Sequence, residues 1–340
     1  MLANFKTYGI VLLVTMICLI LVDQCVAFVR PIFLFPEHYY ISNNQRSPRP
    51  YIEFAGKPNV LDHNEFGYRW KVEDSSKETV FKISFFGGST GYNGEPPIAK
   101  LLEKQLSDRY RRPIKIANFS VVSSNHRQHL HNIIETNDIF KPDLIIFYGG
   151  YNETAQSAFY DPRPGYPYNY FYLAETTPLV KLLLEASPMV NLIDLIGIKY
   201  EWFSLTKLGQ IKTAVGVYSP KWKTAISRNY FETLAYANKL SNSFSSSRCE
   251  TPAKFRAFYQ PYKVPSNLMA LHDDIRKSIK ELPYGFDISD MFDKRDYVYT
   301  DIVHLTQDGN IEVADRLFRE LISDKNISRC LKTKLVKVSP

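Results

Sequence analysis

A chain of 340 residues with 45% hydrophobic and 23% charged side chains has ample material for a buried core, which excludes global disorder and favours one large domain with appendages. The net charge of +7 permits an anionic partner, but the sequence holds no zinc-finger spacing, no RNP-like aromatic motif and no glycine-rich loop ending in lysine, so no nucleic-acid partner is expected. The excess cations are read first as a solvated surface, and after that as affinity for an anionic membrane surface or an acidic glycan.

The first element is the apolar run Tyr8–Val22, which resumes after Asp23-Gln24 through Val26–Val29 to Arg30. Residues 8–30 together exceed the roughly 20 residues that a bilayer crossing needs. A cleaved signal peptide would use Lys6 and the same run, but no small-residue cleavage site follows. The expectation is an uncleaved anchor at 8–30 behind a short tail, residues 1–7. Lys6 favours an inside amino terminus, whereas Arg30, Arg46 and Arg49 pull the other way; the short tail before a single span favours an external globular part.

Residues 31–78 carry Pro31, Pro36, Pro48, Pro50 and Pro58 with little periodicity, and read as a linker that becomes a docked arm. Within it Asn64-Glu65-Phe66-Gly67-Tyr68-Arg69 reads as ordered. From Val80 to Phe86 a β-rich apolar run breaks into Gly87-Gly88-Ser89-Thr90-Gly91, the pattern of a strand that delivers a serine to the rim of a sheet. Taken alone, Gly-Gly-Ser-Thr also fits a phosphate loop or a plain turn.

Prolines 96 and 97 open a helix over Ile98–Leu106, followed by a strand at Ile114–Asn118 and a helix around Arg127–Phe140. After Lys141-Pro142-Asp143, the continuous apolarity of Leu144–Tyr148 predicts a buried parallel strand. This alternation predicts an α/β fold with a doubly wound, flavodoxin-like parallel sheet over residues 79–323, whose ligands bind beyond the carboxyl ends of the strands. Ser89, Ser120 and Asn152 each follow a different strand.

An insertion is expected over about 154–247. It opens on the aromatic loop 159–172, read as self-packed or as a sugar- or membrane-contacting surface, and continues with short helices at Leu179–Leu184 and Val190–Ile198, packed on the domain or forming a lid. A helix near Ala225–Ser243, a strand at Phe255–Tyr259, a helix around Asn267–Lys280 and an amphipathic helix after Asn310 complete the domain. The basic tail, residues 324–340, reads as mobile. His126, His129 and His131 lie on a predicted helix at offsets read as not sharing one face, so neither a metal nor a cofactor is expected. Cys249 and Cys330 would pair in an oxidising compartment and would otherwise be two free thiols.

Gly87-Gly88-Ser89, Asn118-Phe119-Ser120, Gly150-Tyr151-Asn152-Glu153 and Asp301-Ile302-Val303-His304, in that order and spacing, resemble the SGNH (GDSL-type) hydrolase family across most of the globular part. With Asn64–Arg69 upstream and Gly-Gly-Ser-Thr replacing Gly-Asp-Ser, the chain looks like bacterial single-span, membrane-anchored members. The resemblance implies Ser89 as nucleophile, His304 as its base and Asp301 as the residue that orients the imidazole. It implies an oxyanion hole from the backbone N–H groups of Ser89 and Ser120 and the Asn152 amide. Ser120 departs from the family, which keeps glycine there.

The implied activity is a serine-dependent esterase or deacylase on acyl, foremost acetyl, esters of a small molecule or a cell-envelope polysaccharide. An acyltransferase using the same acyl-serine is the second reading, and an inactive glycan-binding or assembly module the third. Asn118, Asn152 and Asn326 each begin a formal N-glycosylation sequon, and a glycan on Asn152 would consume its amide. An external domain is therefore easiest to reconcile with a bacterial envelope, in the periplasm or outside the cell.

Overall fold

The computed structural model describes residues 2–33, 46–70, 80–159, 165, 178–199, 202, 203, 205, 220–244, 249 and 254–332. In chain order the elements are α1 (Leu2–Phe33), β1 (Arg46–Arg49), β2 (Glu53–Gly56), β3 (Phe81–Gly87), α2 (Ser89–Tyr92), α3 (Ile98–Tyr110), β4 (Ile114–Asn118) and α4 (His126–Phe140). They continue with β5 (Leu144–Gly149), α5 (Tyr151–Phe159), α6 (Pro178–Ala186), α7 (Pro188–Lys199), α8 (Pro220–Ser243) and β6 (Phe255–Tyr259). The last are α9 (Met269–Ile279), β7 (Gly285–Asp287), α10 (Gln307–Ser323) and α11 (Lys325–Lys332). The chain divides into two compact units, one of Met1–Asn44 and Asn169–Gly216, the other of Gln45–Tyr168 and Val217–Pro340.

The larger unit is built on a parallel five-stranded sheet in the order β4-β3-β5-β6-β7. Strand β3 pairs Phe85 with Asn118 on one side and Gly87 with Tyr148 on the other, and β5 pairs Gly149 with Tyr259. Phe81, Ile83 and Phe85 enter a cluster with Ile98, Leu102 and Leu106 of α3 and Val313, Leu317 and Leu321 of α10. Phe86 points the opposite way, against His129 of α4. Burial on both faces explains why β3 and β5 read as continuous apolar runs without alternation. Strand β7, three residues long, has no pattern that sequence could show.

Two expectations for this unit are corrected. The tail is docked through Lys332: α11 buries Ile327, Cys330 and Leu331, and Cys330 forms a disulfide with Cys249. Its apolar residues sit at helical offsets that the lysines and arginines between them obscure. His126 and His129 do share a face, three residues apart on α4, with ring centroids 5.7 Å apart, while His131 turns outward toward Glu135. Among the described residues no group of His, Cys, Asp or Glu is arranged to hold a metal. The aromatic loop expected at 159–172 lies outside the described residues except for Phe159 and Gly165.

In the smaller unit α1 is one continuous helix of 32 residues, and α6 and α7 form a hairpin turning at Ser187. Among the described residues no helix is long and apolar enough to cross a membrane.

Candidate active site

Strand β3 ends at Gly87, and the chain turns at once into the single-turn helix α2 with Gly88 at its amino end and Ser89 as its first residue. The turn needs a bare Cα at Gly88, because a Cβ there would lie 2.3 Å from Asn152 Nδ2 and 3.3 Å from the Ser124 carbonyl oxygen. Backbone N–H groups in a first helical turn have no acceptor within the helix, so the Ser89 N–H is available to an oxygen on substrate.

Asp301 and His304 lie in a loop closed by the Thr300 N–H donating to the His304 carbonyl at 2.8 Å, just before α10. One Asp301 oxygen accepts the backbone N–H groups of Val303 and His304, both at 2.8 Å, and the other accepts from His304 Nδ1 at 2.6 Å. Burial by itself would raise the Asp301 carboxyl, but the His304 ring and these N–H donors outweigh it and hold it at about 2. A carboxylate on Nδ1 fixes the tautomer that leaves the Nε2 lone pair free, and Nε2 stands 2.7 Å from Ser89 Oγ. The three residues drawn from opposite ends of the globular sequence thus form one continuous relay.

Asn152 begins the turn of α5 after β5, with its Nδ2 donating to the Ser124 carbonyl at 2.7 Å directly over Gly88. That bond uses one amide proton and leaves the other for an oxygen bound above Ser89. A cleft is lined by Ser89, Thr90, Ser124, Asn152, Gln260 and Val303 among others. Ser120 stands elsewhere: it is buried beneath α2, its N–H donates to Asn118 Oδ1 at 3.1 Å, and its Oγ would lie 2.6 Å from a Cβ on Gly91. The structure therefore places Ser89 and Asn152 on the cleft, joins His304 and Asp301 to Ser89 through the relay, and leaves Ser120 out of the cleft lining.

Several supporting residues carry no role in the motifs. The Ser124 carbonyl aims the Asn152 amide, and it sits in a turn where Ser123 adopts a φ of 65°, ahead of the Asn125 capping box on α4. Glu153, beside Asn152, folds back so that one oxygen accepts the Gly150 N–H at 2.9 Å and the other the His126 N–H. Burial pushes its carboxyl up to about 7 against the pull of those donors. His126 is fully enclosed and held down to about 3, so it is neutral. Thr90 Oγ1 donates to Gln260 Oε1 at 2.7 Å, tying the Ser89 turn to the end of β6.

The Asn64–Arg69 segment also has a structural explanation. Asn64 Oδ1 accepts the N–H groups of Phe66 and Tyr68, which orders the turn, and Arg69 then donates to the carbonyls of Tyr92 at 2.5 Å and Gly94 at 3.2 Å. The arginine caps the carbonyl end of α2 and fixes the segment that carries Ser89.

No protein-family model matches the chain, and no curated protein matches it. Solved structures show loose likenesses. A lipase from a goat rumen metagenome is 13% identical with a TM-score of 0.41, covering 70% of this chain and 95% of that one. A Clostridium thermocellum family 3 carbohydrate esterase is 13% identical with a TM-score of 0.36, covering 75% and 100%. A GDSL-like lipase from Parabacteroides merdae is 13% identical with a TM-score of 0.34, covering 70% and 94%. At these values the likenesses carry no argument, and what the site does is argued from its geometry.

Proposed function

We propose that the chain is a serine ester hydrolase of the SGNH type, acting on short acyl esters, foremost acetyl esters of a cell-envelope glycan. The observation that carries this is the unbroken relay from Asp301 Oδ2 through the His304 ring to Ser89 Oγ, at 2.6 Å and 2.7 Å. In the mechanism this geometry supports, His304 Nε2 takes the Ser89 proton as Oγ attacks the ester carbonyl carbon. The carbonyl oxygen becomes an oxyanion held by the Ser89 N–H and the Asn152 amide. His304 returns the proton to the departing alcohol, leaving an acyl-Ser89. Water then repeats the sequence from the same imidazole and releases the acid.

The small, largely polar cleft supports a short acyl group over a fatty one. The Cys249–Cys330 disulfide supports a domain in an oxidising compartment, and the all-round apolar helix α1 supports a membrane anchor. Together they support a bacterial envelope protein with its larger unit outside the cytoplasm. The test is hydrolysis of p-nitrophenyl acetate by the full chain in detergent. Ser89→Ala is expected to lower kcat by at least about 10⁴-fold with binding retained; equal rates for the two proteins would overturn the reading. With acetylated glycan as substrate, free acetate identifies hydrolysis, while acetate moved to a second sugar would identify transfer.

A further inference from the structure

We propose that α6 and α7 form a hairpin set into one leaflet of the lipid bilayer beside α1, so that the chain holds the membrane at two elements. The proposal rests on the reading of α1 as the membrane anchor. Val11, Leu13, Val14, Met16, Ile17 and Leu19 are all exposed on α1, and at 100° per residue they are spread around the whole helix. A helix apolar on all sides finds its solvent in lipid, and the Thr15 hydroxyl is satisfied within the helix by the Val11 carbonyl at 2.8 Å.

The hairpin is fastened to that helix by a charge. Asp23, at the carboxyl end of the apolar run, accepts from Ser187 Oγ at 2.7 Å and from the Met189 N–H at 2.9 Å, both at the start of α7. The Ser187 hydroxyl in turn accepts the Val190 N–H at 3.2 Å. A carboxylate in an apolar helix needs such partners, and these place the turn of the hairpin about 22 Å along α1 from Tyr8, at 1.5 Å per residue.

The patterning of the hairpin decides what covers it. A helix packed in water hides its apolar side chains and exposes its charges. Here Leu179, Leu182 and Leu183 of α6 and Ile193 and Ile196 of α7 are exposed, whereas Asp194 is buried and accepts the Leu205 N–H at 2.6 Å. Trp202, just beyond α7, is 72% exposed. Apolar residues outside and a satisfied carboxylate inside is the arrangement that hydrocarbon selects, and Asp23 joins the hairpin to α1. Helices of 9 and 12 residues extend only about 14 and 18 Å, so neither crosses a hydrocarbon core of about 30 Å, and the hairpin enters and leaves on the same side.

The test uses the full chain reconstituted in phosphatidylcholine–phosphatidylglycerol vesicles, plain or with brominated acyl chains. The emission of Trp202 is taken as the difference between wild type and Trp202→Phe, which cancels Trp70 and Trp222. The expected result is that the chain sediments with vesicles after an alkaline carbonate wash and that bromolipid removes more than about half of the Trp202 emission. As a second measurement, Ile193→Cys in a Cys18→Ser/Cys25→Ser background should react with a membrane-impermeant maleimide in mild detergent and lose that labelling in vesicles. Sedimentation without Trp202 quenching or loss of labelling overturns the hairpin while leaving the anchor in place. If cross-linking then joins hairpins of two chains, a second copy is the occupant instead of lipid. A chain that washes off the vesicles overturns the anchor reading, and the hairpin with it.

Discussion

At the residue scale, what separates the functional side chains is whether their geometry is local or assembled. Asp301 and His304 meet within four residues, so their contact is nearly independent of the rest of the fold. Asn152 reaches its position only because the Ser124 carbonyl comes from another loop. Asn152→Ala is expected to lower kcat for p-nitrophenyl acetate by about 10²–10³-fold with little change in KM, since the amide acts on an oxyanion that exists only past the ground state. Glu153 offers a test through pH. Its carboxyl is raised in the fold, so the fold favours the protonated form; the associated stability is full below about 4.5 and is lost as pH rises through about 7. Glu153→Gln lacks this titration, whereas His126 and His129 titrate in both proteins and cancel in the comparison. The variant should therefore gain on wild type by up to about 3 kcal/mol between pH 5 and pH 8 in denaturant melts. A difference in stability that does not change with pH would show that Glu153 is not held neutral by burial.

At the element scale, α11 shows how a segment with weak local signals becomes part of the fold. Arg256 of β6 is fully buried and donates to Asp324 Oδ2 from Nε at 3.1 Å and from a terminal nitrogen at 2.5 Å. The other Asp324 oxygen accepts the N–H groups of Asn326 and Ile327, which starts α11. Asp324→Ala leaves the buried guanidinium short of its carboxylate and the helix without its cap, and is expected to destabilise the protein by about 3–5 kcal/mol. The disulfide closes a loop with a sequence separation of 81. Cys330→Ala should cost about 4 kcal/mol in chemical denaturation. That difference should shrink when both proteins are measured with reductant present.

At the scale of the whole molecule, the two units have opposite surface logic. The larger hides its apolar residues around a parallel sheet, and the smaller exposes them. A chain carrying a carboxyl-terminal tag is expected to lose the tag when protease is added to intact spheroplasts, as an external domain requires. Protection until lysis would place the larger unit in the cytoplasm, where the Cys249–Cys330 bond would not persist.

The sequence by itself determined the alternation of strands and helices, because apolar runs of five or six residues and 3.6-residue stripes are local patterns that burial on a sheet enforces. It also singled out Ser89, Asp301, His304 and Asn152, through motifs whose order and spacing resemble the SGNH hydrolase family. Tertiary structure alone decided the rest. Whether Ser120 lines the cleft depends on which way the chain after β4 turns, and the Asn118 side chain takes its N–H from below. Whether His126 and His129 face inward together depends on the sheet that α4 covers. Docking of the tail required Arg256 and Cys249 from distant positions, and the inside-out hairpin was visible only once Asp194 was seen buried and Ile193 exposed. For the histidines and the tail the deciding partner is far away in the chain, and for Ser120 and Asp194 it is the path of the backbone that decides, so no pattern of neighbouring residue types could carry the information.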